Sequence, residues 1–393
     1  MTDTLSSAHP YDNVLPDLLR HADNMKWTKY GQDVLPLWVA DMDFPVAPAI
    51  LDALHQRLER SLGYYQMMGD PDLKALLIDK LGRDGLTGLK PEGLSFLPGV
   101  VPGLYAAVQG LTEPGDEVLI FTPSYPPFLS AVTDHGRVSR EVPLRLTPQG
   151  YELDMPALEG AVTSRTKLLM LCHPHNPTGR VWTADELREL ADFAARHELY
   201  VVSDELHADL RFSDAPAFIP FASQDDATAQ RTVTLTGPCK TYNVAGLGIG
   251  AMLSHNAELV ARLERSVKGI MGHPGGLSVT MWRSALTGGA QWRTQTLAYL
   301  QANRDFLAQF LASELPSVPF AAPQATYLAW LDLRGHPRAA DIQQFLLDEA
   351  RIALNDGPTF GQGYQGFVRL NFATSRELLQ DGLERLAGAV KGL

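Results

Sequence analysis

Cysteine is nearly absent from this chain: Cys172 and Cys239 are the only two among 393 residues. Two thiols cannot build a disulfide framework or a cysteine quartet, and no metal site is expected. Basic residues are also short, 33 against 45 acidic, for a formal net charge of −12. With no basic cluster to offset it, that balance argues against nucleic acid or an anionic membrane as partner. No uninterrupted apolar run reaches ~18 residues, so no membrane-spanning helix is expected. Met1 to Pro10 carries neither a basic n-region nor an apolar core, so no secretory signal is expected and the location expected is cytoplasmic. What remains is ordinary for a globular chain, 45% apolar and 20% charged, and long enough for two domains.

The most informative stretch runs from Val233 to Gly250. A β-branched run, Val233 to Thr236, is halted by Gly237-Pro238, and Lys240 follows in a segment with no other Asp, Glu, Lys or Arg from Thr232 to Asn256. Such a lysine either snorkels to water or sits desolvated in a site, where a lowered pKa leaves a neutral amine as nucleophile or base.

In chain order, the pattern predicts an arm with a short helix over 15–22. An apolar stretch over 35–45 follows, interrupted by Asp41 and Asp43. It reads either as a buried strand whose carboxylates cap the next helix, over 48–62, or as a pocket-lining loop. Asp70-Pro71 opens a helix to Arg83. A strand over 93–98 turns at Gly99 into a helix from Val100, whose first amides could face an anion. Strands over 117–121 and 167–172 lead into Tyr125 and Asn176, and Thr183 with Glu186 forms a capping box for a helix to His197. A strand over 200–203 delivers Asp204. Strands alternating with helices argue for a mostly parallel sheet with ligands at the strands' carboxyl ends. Val100, Tyr125, Asn176, Asp204 and Lys240 all fall there. Beyond about Thr280 the pattern shifts to a long helix over 291–311, a strand over 326–333, a helix over 339–350, and an edge strand over 366–372 carrying Arg369. The expected division is a large domain, 46–280, and a smaller α+β domain built from 1–45 and 281–393.

Asn176-Pro177-Thr178-Gly179, Asp204-Glu205-Leu206-His207 and Lys240, with the asparagine 28 residues before the acid and the acid 36 before the lysine, resemble the fold-type I pyridoxal-5'-phosphate (PLP) enzymes. Leu37 to Phe44, Tyr125 to Phe128, Cys172 to Trp182 and Lys240 to Leu247 narrow the resemblance to the MalY/PatB group. These are cystathionine and cysteine-S-conjugate β-lyases within the class I/II aminotransferase family, and the resemblance covers essentially the whole chain. It implies an α/β fold with a seven-stranded, mostly parallel sheet, and PLP as cofactor, with Lys240 holding it covalently and then acting as base at the substrate Cα. It further implies that Asp204 faces the pyridine nitrogen, Asn176 the phenolic oxygen and Tyr125 the ring face. Val100 and Val101 amides would take the phosphate, and Cys239 and His207 would also line the cofactor. Ala40, Asn176 and Arg369 would meet the amino-acid substrate, Arg369 forking onto its carboxylate. Tyr64 stands at a position that reaches the neighbouring subunit's site, which implies a homodimer with shared sites. The chain departs from family habit at Gly237 and Cys239, where serines are frequent, at Gly248, where many aminotransferases have arginine, and at His207, where many have tyrosine. The resemblance favours lyase chemistry. Aminotransferase activity, and a PLP-binding regulator with incidental lyase activity, are the rivals.

Overall fold

Seven strands run through the middle of the chain: β2 (Leu94–Leu97), β3 (Glu117–Thr122), β4 (Val138–Pro143), β5 (Thr166–Cys172), β6 (Tyr200–Asp204), β7 (Thr232–Thr236) and β8 (Gly250–Leu253), with β1 (Leu35–Pro36) preceding them. The computed structural model that shows them describes residues 9–21, 23–60, 62–63, 70–147 and 150–391. The sheet order is β2-β8-β7-β6-β5-β3-β4. Pairing is parallel from β4 through β3, β5 and β6 to β7, and β8 alone runs antiparallel to its neighbours β7 and β2. The α/β architecture expected from the alternating pattern is therefore present.

Alternation along each strand splits its side chains between two faces. On one face Val118, Ile120, Met170, Val202 and Val233 pack with Leu104, Ala107 and Val108 of the helix Val100–Leu111. On the other, Leu119, Phe121, Leu169 and Leu171 pack with Leu187, Leu190 and Phe193 of the helix Ala184–Arg196. That second helix opens on the expected capping box, Thr183 Oγ1 accepting from the Glu186 amide and Glu186 Oε2 from the Thr183 amide. Both faces of a mostly parallel sheet are thus covered, as such sheets require.

A second, three-stranded sheet orders β9 (Leu328–Asp332), β12 (Phe367–Asn371) and β11 (Asn355–Asp356). β12 pairs with a neighbour on each side, so the strand bearing Arg369 is central and not the edge strand its sequence suggests. Its five residues are all buried, which an edge strand seldom achieves. β1 pairs in parallel with β10 (Ile352–Ala353), fastening the stretch before residue 40 to the C-terminal part.

Two further expectations need correction. The 35–45 stretch is a strand only at Leu35–Pro36 and continues as irregular chain, the pocket-lining alternative. The helix after it, Pro48–Leu58, ends four residues before Leu62, and its N-cap Ala47 makes no side-chain bond, so Asp41 and Asp43 do not cap it. Asp43 pairs instead with Lys26, Oδ2 to Nζ 2.8 Å, both side chains wholly buried, and accepts from the Trp27 indole at 2.7 Å.

Candidate active site

Parallel register brings the catalytic candidates to one sheet edge. Cys172, the last residue of β5, lies opposite Asp204, the last of β6, and Asp204 lies opposite Leu235 of β7. Asn176 and Lys240 each stand four residues beyond those ends. Tyr125, on the neighbouring β3 side, starts the helix Pro126–Thr133. Lys240 sits in a turn closed by two backbone bonds, Tyr242 N–H to Pro238 O and Val244 N–H to Cys239 O. The lysine is half-buried and does not snorkel: Nζ donates inward to the Ala40 carbonyl at 2.7 Å. Tyr327, just before β9, donates its hydroxyl to the same oxygen at 3.1 Å.

Asp204 is buried, and its carboxylate accepts from the Leu206 amide at 3.1 Å. It forms no ion pair among the described residues, and burial pushes it up from the ordinary carboxylate range to about 7. A buried carboxylate in that condition is matched by a cationic N–H group. His207, three residues on, is held neutral, with burial first and the nearby Lys240 and Arg369 charges next pushing it down to about 3. Its Nδ1 is buried without a partner among the described residues.

Arg369 is the charge expected to meet the substrate carboxylate. The alternative to substrate binding is a structural ion pair, and none exists among the described residues. Nη1 donates to Asn176 Oδ1 at 3.0 Å, and Nη2 to Asn355 Oδ1 at 2.7 Å and Trp38 O at 3.4 Å. All three acceptors are neutral. Nε has no partner among the described residues, and the guanidinium lies 5.0 Å from the Phe360 ring centroid. Desolvation draws its pKa down to about 10, still far above neutrality. A buried cation held by neutral acceptors has its charge uncompensated, which suits an anion.

PLP fits this edge on structural grounds. The helix beginning at Val100 has Gly99 as N-cap and no side-chain cap, so the Val100 and Val101 amides are available to phosphate. Close approach there is enforced by glycine: a Cβ on Gly250 would lie 3.1 Å from Val100 N, and one on Gly248 only 2.6 Å from the Pro98 carbonyl. The backbone at 248 therefore has no room for a side chain as placed. The uncompensated Asp204, the orphan His207 nitrogen and the half-buried Tyr125 ring complete a set that suits a pyridinium ring bearing a phosphate. Cys239 is half-buried beside Lys240, and burial raises its thiol above the ordinary value. Tyr64 falls outside the described residues.

Sequence reasoning missed the residues that hold the 38–44 strap. Asn371 Nδ2 donates to Val39 O at 2.7 Å and Asp41 O at 2.6 Å; Lys26 Nζ reaches Asp41 O at 3.2 Å. Asn243 accepts from Met42 N–H at 2.9 Å and donates to Met42 O at 3.0 Å and Phe44 O at 2.9 Å. The usable signal was position: Asn243 lies three residues after Lys240, and Asn371 two after Arg369. A cavity of about 520 Å³ lined by Lys74, Phe96, Met252, Arg265 and Met271 contains none of these groups. Side-chain chemistry, not cavity size, locates the site.

The family model for aminotransferase class I and II matches residues 32–386. Cystathionine beta-lyase PatB of Bacillus subtilis is 36% identical over 378 residues, spanning 93% of this chain and 96% of its own. The solved structure of OvoB superposes with a TM-score of 0.91 at 39% identity, covering 95% of this chain and 97% of that one. The PLP-bound C-S lyase from Staphylococcus hominis superposes with a TM-score of 0.90 at 30% identity, covering 97% and 99%. With a family match over nearly its whole length and PLP-bound structural neighbours of the same fold type, this chain belongs to the class I and II aminotransferase family.

Proposed function

We propose that the protein is a PLP-dependent carbon–sulfur β-lyase that converts L-cystathionine or another cysteine S-conjugate, with water, to a thiol, pyruvate and ammonia. The carrying observation is the buried Arg369 guanidinium, held by neutral acceptors, one of which, Trp38 O, lies on the same strap that receives Lys240. It suits an α-amino acid bound through its carboxylate with its Cα presented to an amine. The names of relatives at this level of identity supply the choice of lyase.

When bound, PLP supplies an electron-withdrawing ring that stabilises negative charge at the substrate Cα. The chain's own residues do the rest. Asp204 would face the ring nitrogen and, charged, would hold a proton there. Asn176 keeps its amide N–H groups for the cofactor while its oxygen orients Arg369. His207, neutral, offers a ring nitrogen, Tyr125 a stacking face, and Val100 and Val101 their amides, with Cys239 packed beside the lysine. Arg369 forks onto the α-carboxylate and fixes which Cα bond faces Lys240. Lys240, once its amine is free, removes the Cα proton. The electron pair left at Cα forms the Cα–Cβ double bond as the Cβ–S bond breaks, and the thiolate leaves with its pair. Ala40 supplies the carbonyl against which the lysine rests.

A homodimer sharing its sites, with Tyr64 reaching into the partner's, belongs to the same proposal. Exposed Leu51 and Leu58 on the helix Pro48–Leu58, with Leu62 just after it, support an apolar surface that a partner would cover. The division at 46–280 and a cytoplasmic location are likewise part of it. Among the described residues no helix is long and apolar enough to cross a membrane. The rival within the family, amino-group transfer, uses the same residues up to loss of the Cα proton. Pyruvate release from cystathionine without added keto acid supports the lyase. Amino transfer that requires a keto acid, with no thiol released, refutes it.

A further inference from the structure

The catalytic lysine and the carboxylate-binding arginine come from separate sheets, yet both are tied to one strap. Side chains occupy six of its carbonyls: Trp38 O takes Arg369, Val39 O takes Asn371, Ala40 O takes Lys240 and Tyr327, Asp41 O takes Asn371 and Lys26, and Met42 O and Phe44 O take Asn243. A backbone that is not part of a strand must have its polar groups satisfied this way, or by water. The arrangement is nevertheless divided. Asn371 follows Arg369 on its strand and grips residues 39 and 41. Asn243 follows Lys240 and grips residues 42 and 44.

We propose that Asn243 is a positioning residue for Lys240, acting through the strap. The turn that contains Lys240 also contains Asn243, at φ 55, a left-handed conformation asparagine tolerates better than most residues. Its side chain therefore joins the lysine's own turn to the strap by three hydrogen bonds, two of them closing a ring on Met42. That junction sets where Ala40 O stands relative to Nζ, and so which direction the free amine faces. No bond from Asn243 reaches Lys240 itself. Misplacing a reacting group by about 1 Å costs on the order of a hundredfold in rate, so a clamp of this kind matters without touching substrate.

The test uses full-length protein, apo and PLP-loaded, carrying Asn243→Gly, which keeps the left-handed backbone unstrained and removes only the clamp. The lyase reading enters only through turnover; two readouts are independent of it. The rate at which apo protein takes up PLP covalently, followed by absorbance, should fall about tenfold or more, and kcat should fall alike. Glycine binding to the loaded protein, which reports Arg369, should stay within about twofold, as should KM. Asn371→Ala should do the reverse, weakening glycine binding while leaving PLP uptake near wild type. PLP uptake and kcat unchanged in folded Asn243→Gly overturn the proposal. So does equal damage to uptake and glycine binding in both variants, which would make the strap a scaffold without division of labour. If Asn243→Gly does not fold, Asn243→Asp, which keeps the acceptor for Met42 N–H and loses both donors, is judged by the same criteria. Absent thiol release in wild type alongside slowed PLP uptake in the variant would retire the lyase reading and keep this one.

Discussion

Replacing Asp204 with asparagine should stabilise the apo protein at alkaline pH while disabling the loaded one. Burial raises this carboxyl from 3.8 to about 7. The native apo state therefore holds a proton that the unfolded chain has already released between those two values. With more protons bound in the native state, stability falls as pH rises through that window and stays low above it. Three pKa units correspond to about 4 kcal/mol, and relaxation or entering water reduces this to about 2–4 kcal/mol. Glu205, also buried and raised to about 7 chiefly by burial, shows the same dependence and is common to wild type and variant; the Asp204 charge is the smallest of the causes acting on it, so it largely cancels in their difference. Urea unfolding of apo wild type and apo Asp204→Asn at pH 5 and pH 8 isolates the effect. Part of the effect is already spent below pH 5, so the variant's relative stability should rise by about 1–2.5 kcal/mol over that interval. The loaded variant should retain covalent cofactor but lose on the order of a hundredfold in turnover, because an amide cannot hold a ring proton by charge. A stability difference that does not change with pH would refute the reasoning, since Asp204 would then not be a buried charge awaiting a cation.

Lys240→Ala should fold and lose the cofactor attachment that borohydride makes permanent; persistence of that attachment, seen by mass spectrometry, would remove Lys240 from its role. Arg369→Lys should melt near wild type, having no ion pair to lose, yet drop more than tenfold in kcat/KM, about 1.4 kcal/mol, because an ammonium cannot fork onto a carboxylate. Near-normal kinetics would take Arg369 out of the site. Glu117, buried at the start of β3, accepts from Arg140, Thr163 and Arg165, and these bonds hold its carboxyl down at about 2. Its contribution is present above the ordinary value of 4.5 and is lost as pH falls through 2, so Glu117→Gln should be less stable at pH 7 and lose less on acidification. Parallel acid melts of the two proteins that do not converge would contradict this.

The cofactor edge was legible because its residues follow strands whose β-branched and aliphatic composition is plain, and because parallel strands deliver their ends to one side. Asn176, Asp204 and Lys240 needed only that. Arg369 was readable as a charge among apolar residues, but its strand looked peripheral: five residues of alternating pattern do not reveal that β9 and β11 flank them on both sides. The 35–45 stretch left two readings open for a different reason. Its apolar residues are buried by long-range partners rather than by strand pairing, and its carbonyls are satisfied by Asn243, Asn371 and Lys26, which lie up to some 330 residues away. Side chains that act on a distant backbone leave no periodicity, and the Lys26–Asp43 pair, wholly buried in an otherwise polar arm, leaves none either.

The most direct test of the account is to incubate the PLP-loaded protein with L-cystathionine alone and measure thiol, pyruvate and ammonia together. The account predicts equal amounts of all three, growing with time and absent from Lys240→Ala. Cystathionine and a panel of cysteine S-conjugates left intact, or consumed only when a keto acid is supplied, would contradict it.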